Sequence, residues 1–317
     1  MDRHAASSLL IRRAQHVALG AHSRTLTTQV RKGELVGVAP GVYVAADEWG
    51  SFFPADRHAL RVFAQTERQH AGTTYAMHSA ATLHGIHLLG PLPSKVTVAV
   101  PPARGGRSTG AVRRRQLRLS DDEIVTIDGV HVTSVARTVI DLARELPFIE
   151  GVAMIDSARN RRRPLVTLDD LHEQLTRQSR ALGYNRARAA VSFSTDKSDS
   201  VEESRSRMLL YQLGFPQPTL QHKLVIADGT FYADFWWDEY QHWGEFDGDQ
   251  KYTDPAILNG RRPEDVVIEE KRREDAIRRN VRGFSRWGTP ENLHPQRLER
   301  ILTDTGLPTF GHRRLPF

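Results

Sequence analysis

A chain of 317 residues without a single cysteine must hold its fold together by burial and hydrogen bonding alone. It has no disulfide framework, no zinc or iron–sulfur cluster held by thiolates, and no cysteine nucleophile. At roughly 150 residues per domain the length implies two or three domains, each able to build a core without staples. With 39% hydrophobic and 26% charged residues, wholesale disorder is excluded and a soluble globular protein is expected. No run of 18 apolar residues is present, so no membrane span is expected. Residues 1–15, MDRHAASSLLIRRAQ, lack the apolar stretch and small-residue cleavage site of a secretory signal, which makes a cytoplasmic address the expectation.

Charge is unevenly distributed. Residues 1–50 carry 6 Lys+Arg against 4 Asp+Glu, and residues 51–195 carry 20 against 13. Residues 196–317 reverse the balance, with 18 against 21. Of the 44 basic residues 38 are Arg, whose permanently charged, fork-shaped head suits phosphate contacts. Codon bias explains an Arg excess equally well, so the split between segments carries more weight than the total.

The first segment reads as helix, turn, helix and hairpin. Leu9, Leu10, Ala14 and Val17 fall at helical spacing and Gly20 ends the run. A second helix opens at His22-Ser23-Arg24-Thr25, carries Leu26 and Val30, and stops at Gly33. GELVGVAPGVYVAA then alternates around Pro40-Gly41, the signature of two short strands and a turn. This order is the winged-helix arrangement, in which the second helix enters the major groove. Ser23, Arg24, Thr27, Thr28, Gln29 and Arg31 are the polar residues open to that helix. A small helical domain with another partner, or none, is the competing reading.

In the middle segment the spacing predicts helices around His58–Gln69 and in YAMHSAATLHG, a strand in VTVAVPP, and a basic loop and strand over Arg104–Arg118. Ile124–Ile127 and Val130–Val132 flank the turn Asp128-Gly129, and Ser134–Arg144 is an amphipathic helix. Two or three helices follow to about residue 193. STDKSDS, residues 194–200, has no apolar residue and reads as a linker. His78, His84 and His87 do not align on a helix face and have no carboxylate among them, so they do not read as a metal site. Arg161-Arg162-Arg163 reads as a solvated helix end.

The third segment carries the sharpest chemistry. Ser200 with Glu203 is a capping-box signature ahead of MLLYQLGF. Strands follow at Leu224–Ile226, Phe231–Trp237 and His242–Phe246, and a charged helix covers roughly Val266–Val281. Strand alternation puts Tyr232, Asp234 and Trp236 on one face, and Trp243, Glu245 and Asp247 on one face of the next strand. With strands about 4.8 Å apart, Asp234 and Glu245 are placed to hold one divalent ion, as phosphodiester hydrolysis requires. A third carboxylate comes from Glu202 or Glu203, between which periodicity does not decide. Glu270, Glu274, Ile277 and Val281 form one stripe, so Glu270 faces the sheet, with Lys251 and Lys271 as nearby cations. Strand-end acids, with Glu270 paired to an Arg, are the structural alternative. Trp236, Trp237, Trp243 and Trp287 read as packing residues. No HExxH, GxSxG, Walker or Rossmann signature is present.

These stretches carry a resemblance. RKGELVGVAPGVYV, MHSAATLHGI and VTSVARTVIDLA resemble the AbiEi-type antitoxins of type IV toxin–antitoxin systems, winged-helix autoregulators followed by an antitoxin domain. SVEESRSRMLLYQLGFPQP, ADFWW, GEFDGDQKY, EEKRREDAIRR and GFSRW resemble actinobacterial endonuclease-like modules related to very-short-patch-repair enzymes of the PD-(D/E)XK superfamily. The resemblance implies an α/β protein, α+β overall. It divides the chain into a winged helix (1–50), an antitoxin-like α+β domain (51–195) and a restriction-endonuclease-like α/β domain (196–317). It implies double-stranded DNA as partner, with Arg24, Thr28, Gln29 and Arg31 as contacts, and a cognate nucleotidyltransferase toxin. In the last domain it implies Glu203 as the first-helix acid, Asp234 as the metal-binding Asp and Glu245 as the (D/E)XK acid, with Mg²⁺ or Mn²⁺. Asp247 stands where the superfamily has Lys, a role left to Lys251 or Lys271 if the site is active. Arg261 and Arg262, in ILNGRRPEDVVI, are possible phosphate contacts. The function implied is a DNA-binding antitoxin-type regulator, with a metal-dependent endonuclease as the alternative.

Overall fold

The computed structural model describes the chain except residues 21, 71, 103–107, 109 and 249–262 and the side chains of 23 and 263–268. It forms two compact units of mixed α and β structure, Met1–Glu145 with Leu165–Tyr184, and Leu146–Pro164 with Asn185–Phe317.

In the first unit, Asp2 caps helix α1 (Arg3–Leu9) by accepting from the Ala5 amide. The apolar spacing predicts that this helix continues to Val17, but the chain turns extended at Leu10. Strand β1 (Ile11–Arg12) follows, then α2 (Arg13–Ala18) and α3 (Ser23–Arg31). The break is stabilised by a sheet ladder: β1 pairs antiparallel with β3 (Val42–Ala45), Ile11 opposite Tyr43. The turn at Pro40-Gly41, with Gly41 at φ +75°, joins β3 to β2 (Leu35–Ala39), and the sheet order is β1-β3-β2. Leu26 of α3 is buried against Leu35 and Tyr43.

After α4 (Ala46–Ser51), helix α5 (Pro54–Thr66) inserts Leu60, Val62 and Phe63 into a core that also holds Leu10, Val38 and Val44. The same core takes in Val96, Val98 and Val132, so packing is continuous across residue 50. Helix α6 (His78–His84) is shorter than its apolar pattern suggests, because Tyr75 bridges β4 (Val96–Val100) and β7 (Val130–Thr133) instead of turning helical. Strand β5 (Val112–Gln116) runs parallel to β4, and β6 (Ile124–Ile127) makes a hairpin with β7 through Asp128-Gly129, both at positive φ. Helix α7 (Val135–Ala143) is capped by Ser134, and α9 (Leu168–Arg177) packs on it.

In the second unit, α8 (Phe148–Arg159) packs against α11 (Val201–Gln212), with α10 (Tyr184–Phe193) preceding it. The STDKSDS stretch is not a free linker. Thr195 donates to Asp156, Asn160 donates to the Ser198 carbonyl, and Ser198 is buried. A four-stranded sheet follows in the order β11-β10-β9-β8. It is built from β8 (Thr219–Ile226), β9 (Gly229–Trp237), β10 (His242–Asp247) and β11 (Gly283–Gly288). Only the β10–β11 pair is parallel, and α12 (Pro263–Arg278) lies in that crossover. One core joins Leu209 and Leu210 of α11 to Phe235, Trp237, Phe246 and Trp287, and α14 (Pro295–Asp304), which follows the short α13 (Thr289–Leu293), seals it with Leu298 and Leu302. The other joins Ala233, Trp236, Trp243 and Phe284 to Ile277 of α12.

Candidate nucleic-acid interface and carboxylate sites

Burial of Leu26 fixes the rotation of α3. At about 100° per residue, Arg24, Thr28 and Arg31 fall within roughly 60° of one another on the opposite side. Arg24 and Arg31 are exposed and Thr28 is half-buried. Gln29 sits to one side, and its carbonyl accepts from the Glu34 amide, which closes the turn into β2. His22, Arg24, Thr25, Thr28, Gln29 and Lys32 line a shallow groove of about 770 Å³ with Glu34 at its edge. Three of the four sequence-chosen contacts therefore share that groove, and Arg31 extends the same helix face.

The carboxylates of the second unit divide between two helices. Strict alternation fails along β9: Trp236 packs in the same core as Ala233, whereas Phe235 and Trp237 enter the other. Gln221, the residue facing this stretch on β8, has φ +53°. Pairing of β9 with β10 ends at Phe235 opposite Gly244, and beyond it Asp234 Oδ2 accepts the Phe246 amide at 3.0 Å. The carboxylate thus replaces a backbone acceptor. Asp234 also lies close enough to Glu203 of α11 to act on it electrostatically. Glu203 completes its capping role: its amide donates to Ser200 Oγ, and its carboxylate accepts from Ser200 Oγ and the Asp199 amide. Burial, followed by the charge of Asp234, pushes the Glu203 carboxyl up to about 8. Glu202 bonds Arg205 and Asn292 instead.

Glu245 faces α12. Its carboxylate accepts from Trp243 Nε1 at 2.8 Å, from Arg286 at 2.8 Å and from Arg273. Burial opposes its ionisation, yet the two guanidinium groups and the indole hold it below the usual glutamate range. Glu270 accepts from the same two arginines at 3.0 and 2.8 Å, and Glu274 pairs with Arg286. The structure therefore brings Glu203 to Asp234, and Glu245 to Glu270. Asp247 is half-buried at the end of β10, Lys271 is exposed, and Lys251, Arg261 and Arg262 lie outside the described residues. Among the described residues, no three His, Asp or Glu side chains are arranged to hold a metal ion. A divalent ion needs only one or two protein carboxylates; Glu245 is saturated by arginines, whereas Glu203 and Asp234 accept from Ser200 Oγ and from the Asp199 and Phe246 amides.

Sequence reasoning misses Arg273 and Arg286, and with them a buried ion network in the first unit. Arg137 of α7 donates to Asp141 at 2.8 Å and to Glu123 at 2.9 Å, all three being buried. Gln174 donates to Glu123 as well. One signal of that network does stand in the sequence: Arg137 and Asp141 are an i,i+4 pair among buried positions of an amphipathic helix.

Residues 73–191 match the family model for the AbiEi antitoxin C-terminal domain. The chain is also similar to an uncharacterized protein of Mycobacterium tuberculosis, matched in strains CDC 1551 / Oshkosh and ATCC 25618 / H37Rv. Identity is 26% over 242 residues, covering 74% of this chain and 81% of the relative. A solved crystal structure, the RV2827C protein of Mycobacterium tuberculosis, matches at 15% identity and a TM-score of 0.35, covering 62% of this chain and 75% of that one. Among the described residues no helix is long and apolar enough to cross a membrane.

Proposed function

We propose that the chain is a DNA-binding regulator of the antitoxin type, whose first 50 residues are a winged helix. One observation carries the reading. The order α1-β1-α2-α3-β2-β3 with sheet order β1-β3-β2 presents Arg24, Thr28 and Arg31 on the outer face of α3. A segment that matches an antitoxin domain begins at residue 73. In this docking α3 enters the major groove, Arg24 and Arg31 take phosphates or guanine edges, and Thr28 and Gln29 meet base edges. The β2–β3 turn meets the backbone. Double-stranded DNA and a cognate nucleotidyltransferase toxin are the partners. The test is a fluorescence-anisotropy titration of duplex DNA from upstream of the gene, using the full chain and its Arg24→Ala/Arg31→Ala variant. A loss of affinity with a shallower salt dependence supports the assignment, and unchanged binding removes it.

A metal-dependent endonuclease is the second reading, favoured by the electrostatic influence of Asp234 on Glu203. Those two carboxylates would hold Mg²⁺ or Mn²⁺, which would supply an activated water and offset phosphate charge. Holding the ion requires Glu203 to give up its proton, and Asp247 leaves the (D/E)XK lysine position filled by an acid. Plasmid DNA incubated with the protein and Mn²⁺, with EDTA and Asp234→Asn as controls, tests it. Uncut plasmid in every lane eliminates this reading.

A further inference from the structure

The first unit contains a cleft of about 900 Å³, the size range of small-ligand sites. Six arginines and three carboxylates line it. Four of those arginines are already paired: Arg137 within the buried network, Arg144 to Asp141, Arg115 to Glu145 and Arg177 to Asp122. Arg118 and Arg180 are exposed at the cleft, and among the described residues neither side chain has a hydrogen-bond or ion-pair partner. Arg118 is tied only by its backbone, whose carbonyl accepts from Arg137.

A buried donor points to an absent acceptor. Gln178, 9% exposed, also lines the cleft. Its Oε1 accepts from Arg144 at 2.9 Å, which fixes the amide orientation, and its Nε2 has no partner. Leaving a buried N–H unsatisfied is costly, and an acceptor arriving from the cleft removes that cost. The Arg144 guanidinium is itself depressed by burial and by the neighbouring positive charges of Arg137 and Arg115.

We propose that this cleft binds a compact di- or triphosphate anion, free or as the tail of a nucleotide, gripped by Arg118 and Arg180 with Gln178 Nε2 as a further donor. Guanidinium forks match phosphate oxygens bidentately, and three donor groups suit a tetrahedral anion with several free oxygens. The three lining carboxylates, Glu123, Asp141 and Glu145, are each answered by an arginine, so the charge left open in the cleft is that of Arg118 and Arg180. The site is separate from the α3 face and does not depend on the DNA-binding reading.

The test is isothermal titration of the full chain with pyrophosphate, ATP and GTP, and with citrate as a carboxylate control. The same titrations are run on Arg118→Ala, Arg180→Ala and Arg118→Gln. Binding of pyrophosphate or a nucleotide, weakened about tenfold or more by each alanine, is expected, the scale of one lost charge-assisted hydrogen bond. Both arginines are exposed and unpaired, so unliganded melting temperatures should stay at the wild-type value. Absence of binding by all phosphate probes overturns the proposal, as does citrate binding equal to pyrophosphate or binding that survives both substitutions. A short duplex oligonucleotide is the last arm: if only the duplex binds and Arg118→Ala weakens it, the cleft serves nucleic acid and the small-anion proposal fails.

Discussion

Replacing Glu203 with Gln should change how the second unit responds to pH. Glu203 is 9% exposed, and its carboxyl is raised from an ordinary 4.5 to about 8, by burial first and then by the charge of Asp234. A carboxyl with a raised folded-state pKa keeps its proton where the unfolded chain has lost it. The stability that Glu203 contributes is therefore greatest below about pH 4.5, falls as pH rises towards about 8, and is flat above that. A tenfold change in proton affinity corresponds to about 1.4 kcal/mol, so the whole window is worth up to about 5 kcal/mol, shared with Asp234. Glutamine is the other residue a capping box accepts at this position, so the helix start is preserved. Four of the five tryptophans, Trp236, Trp237, Trp243 and Trp287, lie in this unit, and their fluorescence follows its unfolding in urea. The variant should gain on the wild type from pH 5 to 8 and hold a constant advantage at pH 9. Groups such as Asp156 contribute equally to both proteins and cancel in the difference. Parallel curves across the whole range would refute the buried-acid argument.

Three further outcomes are expected. Arg24→Ala with Arg31→Ala should reduce the slope of log affinity against log salt by about 1 for each phosphate no longer neutralised, measured by anisotropy between low and physiological salt. Arg137→Ala leaves Glu123 and Asp141 buried without their cation and should cost the first unit about 3–5 kcal/mol in chemical denaturation. Gly214→Ala should lower the melting temperature of the second unit. Gly214 has φ +81°, and an added Cβ would meet the Gly311 carbonyl where Phe310 N donates to Gly214 O at 3.0 Å.

Local patterning makes most elements legible. The β2–β3 and β6–β7 hairpins stand where Pro40-Gly41 and Asp128-Gly129 mark turns, and the Ser200–Glu203 cap is as spaced. The early helix reads too long in the sequence, because the Leu9–Val17 spacing carries no trace of the strand partner, Tyr43, that extends Ile11. The carboxylate site is only partly legible for a similar reason. Period-two alternation places Asp234 and Glu245 together, but it cannot register the positive φ at Gln221 or the slip that sends Trp236 to the core of Ala233. Nor does it show that Arg273 and Arg286 converge on Glu245, since those residues come from α12 and β11 and meet only through tertiary packing. The sequence spacing leaves Glu202 and Glu203 equivalent; burial separates them.

The path of the backbone between the units limits how this protein could be recombined. Glu145 and Leu165 belong to the first unit and the residues between them to the second, and after Tyr184 the chain returns to the second for good. A gene fusion cut at residue 195 would carry α11 away from α8, the helix that packs on it. It would also remove Asp156, the 2.8 Å partner of Arg207. Transfer of the acidic segment to a new host would thus need α8 to travel with it, and inheritance should favour the 146–317 stretch moving with its excursion intact. A shuffled C-terminal third would begin life with an uncovered helix and an unanswered arginine.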